Sequence, residues 1–132
     1  MDQQLKKTLS EREEELKICT SCPSRQVLEL LANRWKLLVI HASRMNDVMR
    51  NGELRRSLEG ISQKMLTETL RSLERDGVVQ RIDYQEIPPR VDYRLTELGQ
   101  DLCVPVMALS DWGIDNMHRI QEAREAFDAA NT

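Results

Sequence analysis

"GISQKMLTETLRSLERDG", residues 60–77, lies between two glycines and reads as one short helix. At about 100° per residue, Leu66, Leu70 and Leu73 fall within an arc of about 60°, and Gln63, Lys64, Thr67, Glu68 and Arg71 occupy a separate arc of about 140°. The leucines give the helix a face to bury. The polar arc begins in the first turn and holds side chains that match base edges. Gln pairs with adenine, Arg and Lys pair with guanine, and Glu accepts from cytosine, in a major groove that admits one α-helix. Ser62 is placed to cap this helix, which runs to Asp76 before Gly77 stops it. Its N-terminal turn also aims backbone N–H groups at a phosphate. A plain solvated face would use the same residues, and Glu68 would repel phosphate, so the flanking sequence has to decide.

Upstream, "NGELRRSLEG" (51–60) reads as a short helix with Asn51 as its cap, joined to the next helix through "GIS". Arg55 and Arg56 on it would contact phosphates, which fix position without reading sequence. Downstream, "VVQRIDY" and "RVDYRLT" alternate, with Val91, Tyr93 and Leu95 on one side and Asp92 and Arg94 on the other. That is the period of strands. The joining "QEIPPR" is a stiff loop, because adjacent prolines fix the backbone and prevent pairing. Arg90 at the base of this loop would approach DNA backbone or minor groove; the alternative is a surface charge beside two prolines. Two helices at a tight turn followed by a hairpin make a winged helix-turn-helix, a mainly α (α+β) fold.

The remaining segments frame that core. Residues 3–17 read as a charged helix with sparse apolar positions at Leu5, Leu9 and Leu16, marginal without a partner surface. Pro23 opens a helix with Cys22 at the N-cap position. Val27, Leu28, Leu30 and Leu31 are spaced for burial, and Asn33 is placed to end the helix in the left-handed conformation. "WKLLVIHA" begins another buried helix, with Trp35 in the core. Thr96 and Glu97 open the last helix, in which Leu98, Leu102, Val106, Leu109, Gly113, Met117 and Ile120 recur at steps of three and four; Pro105 should kink it.

Composition sets the outer bounds. The 132 residues suit one domain with a modest core, and 4% aromatic content with five glycines argues against a barrel or sandwich. No apolar run resembles a signal peptide or a bilayer span, so a cytoplasmic location is expected. The net charge of −3 is unevenly spread. Residues 24–56 carry seven Lys/Arg against three Asp/Glu, whereas residues 95–132 carry two against seven. Grouped cations are compatible with DNA binding at a weak overall charge.

"CPSRQVLELLANRWKLLVI", "GELRRSLEGISQKMLTETLRSLERDGVVQR" and "YQEIPPRVDYRLTELG" together resemble HxlR-type transcriptional regulators, winged-helix relatives of the MarR group. The match runs from Cys22 to about Gly113. The resemblance implies a homodimer joined through terminal helices, with residues 1–21 as an N-terminal arm, 22–96 as the DNA-binding domain and 97–132 as the dimerisation helix and tail. It implies a palindromic operator with half-sites ~34 Å apart, and it places Gln63, Lys64, Thr67 and Arg71 on the groove-facing surface. Two departures stand out. Ala32, Asn33, Arg34 and Trp35 replace a frequent Gly-Gly-Lys-Trp, and Asn51 stands where an aromatic residue is common.

Cys22 is the residue with chemistry of its own. At a helix N-cap near Arg25 its thiolate is favoured by the helix dipole and a cation, which makes the thiol reactive towards oxidants and electrophiles. HxlR-type proteins that sense quinones, aldehydes or oxidants use a cysteine at this Cys-Pro position; the alternative is a small buried cap. Cys19 would be its resolving partner, and both should be reduced at rest in a cytoplasm. Cys103, on the apolar side of the last helix, reads as core. The thioredoxin spacing of "CTSC" lacks the buried strand that fold needs before it, and only Cys19 and Cys22 have zinc-ligand spacing. No phosphate loop or nucleophile elbow is present, so neither an enzyme nor a cofactor is expected. The reading is a dimeric DNA-binding regulator, expected to act as a repressor, with a small electrophile or oxidant as its inducer. The alternative is a helical module using the winged fold to bind protein, which the acidic C-terminal segment keeps open.

Overall fold

The computed structural model describes residues 21–132. The helix expected over 3–17, the rest of the N-terminal arm and Cys19 lie outside the described residues. The chain divides into two compact units, Met1–Arg34 and Trp35–Thr132.

In the first unit, α1 spans Pro23–Leu31, with extended Cys22 at its N-cap and proline in its first turn. Arg25 and Glu29, one turn apart, form an ion pair at 2.8 Å. No residue of α1 is buried, and Val27 and Leu28 are exposed, contrary to the burial expected of that stripe. The helix end also differs from expectation. Ala32 caps it in the right-handed conformation, its N–H bonding the Glu29 carbonyl. Among the described residues only Gln85 combines a side chain with positive φ, so Asn33 is not left-handed.

The α2 helix, Arg34–Arg44, starts at the last residue of the first unit and otherwise belongs to the second, where it buries Val39 and Ile40 and leaves Trp35 half-buried. Then come β1 (Met49–Arg50), α3 (Asn51–Ser57), α4 (Gln63–Arg75), β2 (Val79–Asp83), β3 (Val91–Leu95) and α5 (Glu97–Ala130). The sheet order is β1-β3-β2, antiparallel throughout, with Arg50 opposite Asp92 and Arg81 opposite Tyr93. The hairpin is thus widened by a two-residue edge strand. Because Arg50 is paired to β3, it holds the extended N-cap position of α3, and Asn51 is the first helical residue instead of the cap.

The core joins Val39 and Ile40 to Leu54, Leu58 and Ile61 around the α3–α4 turn, Leu66, Leu70 and Leu73 of α4, Val78, Val79 and Leu95 of the hairpin, and Cys103 and Val106 of α5. Each fully buried aliphatic side chain contributes about 1.5–3 kcal/mol. Helix ends are set as the sequence indicates. Ser62 accepts the Met65 N–H at 3.1 Å, and Gly77, with φ of +76°, follows the Asp76 C-cap. Thr96 accepts the Gly99 N–H at 3.1 Å and donates its own hydroxyl proton to the Gly77 carbonyl. Gly99 fits where nothing larger does: a Cβ there would lie 2.2 Å from the Val78 carbonyl oxygen. The last helix continues through Pro105 to Ala130.

Candidate nucleic-acid interface

The α4 helix separates its two faces as its periodicity requires. Leu66 and Leu73 are 0% exposed and Leu70 is 1% exposed, while Ser62, Gln63, Lys64, Thr67, Glu68 and Arg71 all face solvent. The exposed side is partly ordered by its own hydrogen bonds. Thr67 Oγ1 donates to the Gln63 carbonyl at 2.9 Å and accepts from Gln63 Nε2 at 3.2 Å. Gln63 is thereby tethered one turn along the helix, with its amide oxygen and second N–H not used by these bonds. Thr69, one step round, is buried and returns its hydroxyl proton to the Met65 carbonyl at 2.7 Å.

A shallow concavity joins Thr67, Arg71 and Glu74 of α4 to Arg81 and Tyr93 of the sheet. Arg81 and Tyr93 are therefore part of the surface around α4, although sequence reasoning did not single them out. Strand alternation offers Arg81 as solvent-facing, but only the packing of α4 on β2 brings it beside Arg71. Arg55 and Arg56 occupy the exposed last turn of α3, one tight turn before α4.

The loop between β2 and β3 is built firmly. Tyr84 N–H donates to the Arg90 carbonyl at 3.1 Å across its base, and Gln85 N–H donates to Asp83 Oδ1 at 2.9 Å. Gln85 takes a φ of +52°, and Ile87 is 100% exposed at the tip. Arg90 lies with its guanidinium 4.6 Å over the Tyr84 ring and donates to Asp92 Oδ2 at 3.3 Å. The hydrogen bond to Asp92, followed by the Coulombic attraction, raises its pKa above the ordinary arginine value, so it is permanently cationic.

Alternation places Asp92 on the side opposite Val91, Tyr93 and Leu95, and at Asp92 that side is covered: the residue is 2% exposed, beneath Arg90 and Arg50. The reason is that β3 is the central strand and both α3 and α5 pack against it. A charged residue there is covered unless it lies at the rim.

An exposed polar helix face, its capped N-terminus, nearby arginines and a hydrogen-bonded wing thus occur in one chain. The sequence profile of the HxlR-like helix-turn-helix family matches residues 30–121. The chain belongs to that family. This HxlR-like regulator is 41% identical over 104 residues to the helix-turn-helix transcriptional regulator YtfH of Escherichia coli, covering 79% of this chain and 82% of the relative. The solved structure of YtfH from Salmonella typhimurium superposes with a TM-score of 0.74 at 39% identity, over 83% of this chain and 96% of that one. The redox regulator HypR in its reduced form gives 0.72 at 35% identity, over 76% and 98% of the two chains.

In the HxlR-like chain the cysteines are placed differently from one another. Cys22 sits half-buried at the α1 N-cap, makes no side-chain cap hydrogen bond and is disulfide-bonded, not the reduced thiol expected at rest. An N-cap favours thiolate, the form that attacks another sulfur, so this position suits disulfide formation. Cys103 is a free thiol, 6% exposed; burial pushes its pKa up and only nearby Arg44 opposes that. Among the described residues no helix is long and apolar enough to cross a membrane.

Proposed function

We propose that this chain is a sequence-specific repressor that binds double-stranded DNA as a homodimer and is released when Cys22 is oxidised or modified. The α4 helix enters the major groove, with Gln63, Lys64, Thr67 and Arg71 at base edges and Ser62 at a phosphate. Arg55 and Arg56 hold the backbone, and Arg90 approaches the minor groove or its rim. The observation that carries this reading is the division of α4, whose leucines are fully buried while every candidate reading group is exposed.

Dimerisation is supported by α5, where Val104, Leu109, Trp112 and Ile114 are 53–77% exposed in the single chain. These four side chains spread around more than half of the helix, an exposed apolar surface that suits an interaction. A second copy packed against this helix would present two α4 helices to successive major grooves, ~34 Å apart on a palindromic operator. The Cys22 disulfide and the likeness to HypR, a redox regulator solved in reduced and oxidised forms, support oxidation as the release signal.

The test is selection of bound genomic fragments with and without diamide, followed by titration of the selected operator across salt. Binding through several phosphates weakens steeply as salt rises, whereas a helical protein-binding module would select no fragment. Replacing Cys22→Ser should abolish diamide release and preserve resting affinity; a variant released like its parent would reduce Cys22 to a cap.

A further inference from the structure

Asp92 is the only buried carboxylate among the described residues, and the groove-reading helix does not use it. Burying an ion is costly, and an apolar residue of similar size often serves stability as well or better. What surrounds Asp92 is unusual. Arg90 approaches Oδ2 at 3.3 Å, and Arg50, directly opposite on β1, brings its Nε within 3.8 Å of Oδ1. The Arg50 contact is too long for a hydrogen bond, and Oδ1 receives none from any described residue; the buried Nε of Arg90 likewise has no acceptor. The carboxylate is hidden, but its two partners are not, with side chains 57% and 41% exposed for Arg50 and Arg90.

One negative charge thus lies behind two positive ones, for a net charge of +1 on the group. Each guanidinium has five N–H donors and spends few of them on Asp92. The Tyr84 ring restrains Arg90 from another side. The two arginines come from separate places in the chain, the edge strand that starts α3 and the base of the wing, and the carboxylate is what ties them together. A phosphodiester is the ligand this arrangement suits, because guanidinium forks match its paired oxygens.

We propose that Asp92 is a positioning residue that holds Arg50 and Arg90 as a two-armed grip on the DNA backbone beside the wing, which makes Arg50 a further phosphate contact. The inference rests on the DNA-binding reading above. It makes a prediction of unusual sign. Asp92→Asn removes a negative charge from the DNA-facing side, so simple electrostatics would tighten binding. A positioning role weakens operator binding by about tenfold and flattens the salt dependence. Arg50→Ala should lower the slope of log affinity against log salt by about one. In an Arg50→Ala/Arg90→Ala background, adding Asp92→Asn should change affinity no further.

The measurement is operator titration by fluorescence anisotropy from low to high salt, with thermal unfolding of each variant recorded alongside. Arg50→Ala leaves the carboxylate paired with Arg90, so it decides the matter if Asp92→Asn fails to fold. A parent that binds its operator, with Asp92→Asn equal to it or tighter, or with Arg50→Ala at an unchanged salt slope, overturns this inference alone. A parent that binds no DNA overturns the regulator reading and this one together.

Discussion

Arg71 and Cys103 show how differently single side chains stand in the same fold. Arg71 is exposed on α4 beside Thr67, Arg81 and Tyr93, just over two turns beyond the tethered Gln63. If it makes a bidentate contact to a base, Arg71→Ala costs about 1–3 kcal/mol of operator affinity. Titration of the selected operator checks this, and an unchanged affinity would remove Arg71 from the reading set. Cys103 is the opposite case. Burial raises its pKa, so the folded protein holds the thiol proton more tightly than the unfolded chain does. Its contribution to stability is therefore complete below the ordinary thiol pKa and is lost as pH rises through the raised folded value. With Cys19 and Cys22 replaced by serine, iodoacetamide should modify Cys103 far more slowly than a free thiol at pH 7–8, the rate climbing only at higher pH; rapid labelling at neutral pH would refute this. At this scale the polar face of α4 was legible in the sequence because period and residue type agree. Asp92 was not, because alternation assigns a residue to a face without saying whether a helix covers that face.

Among the elements, legibility follows length and local signal. The α4 helix has a cap, a leucine stripe and a stopping glycine, and it is found where the sequence puts it. The hairpin alternates and is interrupted by prolines, and it too is found. The β1 strand has two residues and no period; it exists because β3 has a free edge there. That long-range pairing also shifted the α3 cap from Asn51 to Arg50. The end of α1 was misassigned for a related reason: Asn permits the left-handed turn but does not require it. The junction between the hairpin and α5 gives the sharpest test at this scale. Gly99→Ala sets a methyl group against the Val78 carbonyl oxygen, and the backbone has to move. Overpacking of this kind costs about 1–3 kcal/mol, so chemical denaturation should show that loss, with DNA affinity falling as α4 and α5 separate. A variant as stable as its parent would mean that the junction has slack.

For the whole molecule, the exposed apolar residues of α5 carry the argument. Trp112 is 53% exposed and Ile114 77% exposed in the single chain. If the proposed dimer forms through α5, replacing Ile114→Glu and Trp112→Glu together should leave a monomer in sedimentation velocity and weaken operator binding at least tenfold, since each half-site is then held singly. A double variant that sediments and binds like its parent would move the dimer contact elsewhere. The charge pattern behaves consistently at this scale: the acidic surplus is concentrated in residues 95–132, with two Lys/Arg against seven Asp/Glu, outside the segment that carries the candidate phosphate contacts.

The Thr96 hydroxyl ties the Gly77 carbonyl to the start of α5, and Gly99 brings that helix hard against Val78. The end of α4, the proposed reading helix, and the beginning of the proposed subunit contact are consequently one stiff corner. In a two-fold pair such corners act like the locked joint of a drawing compass: the gap between the points is dictated by how the handles are held. A slip of a few ångströms between the partners' long helices would then mis-set the span and loosen both points from the duplex at once, with no change inside either reading head.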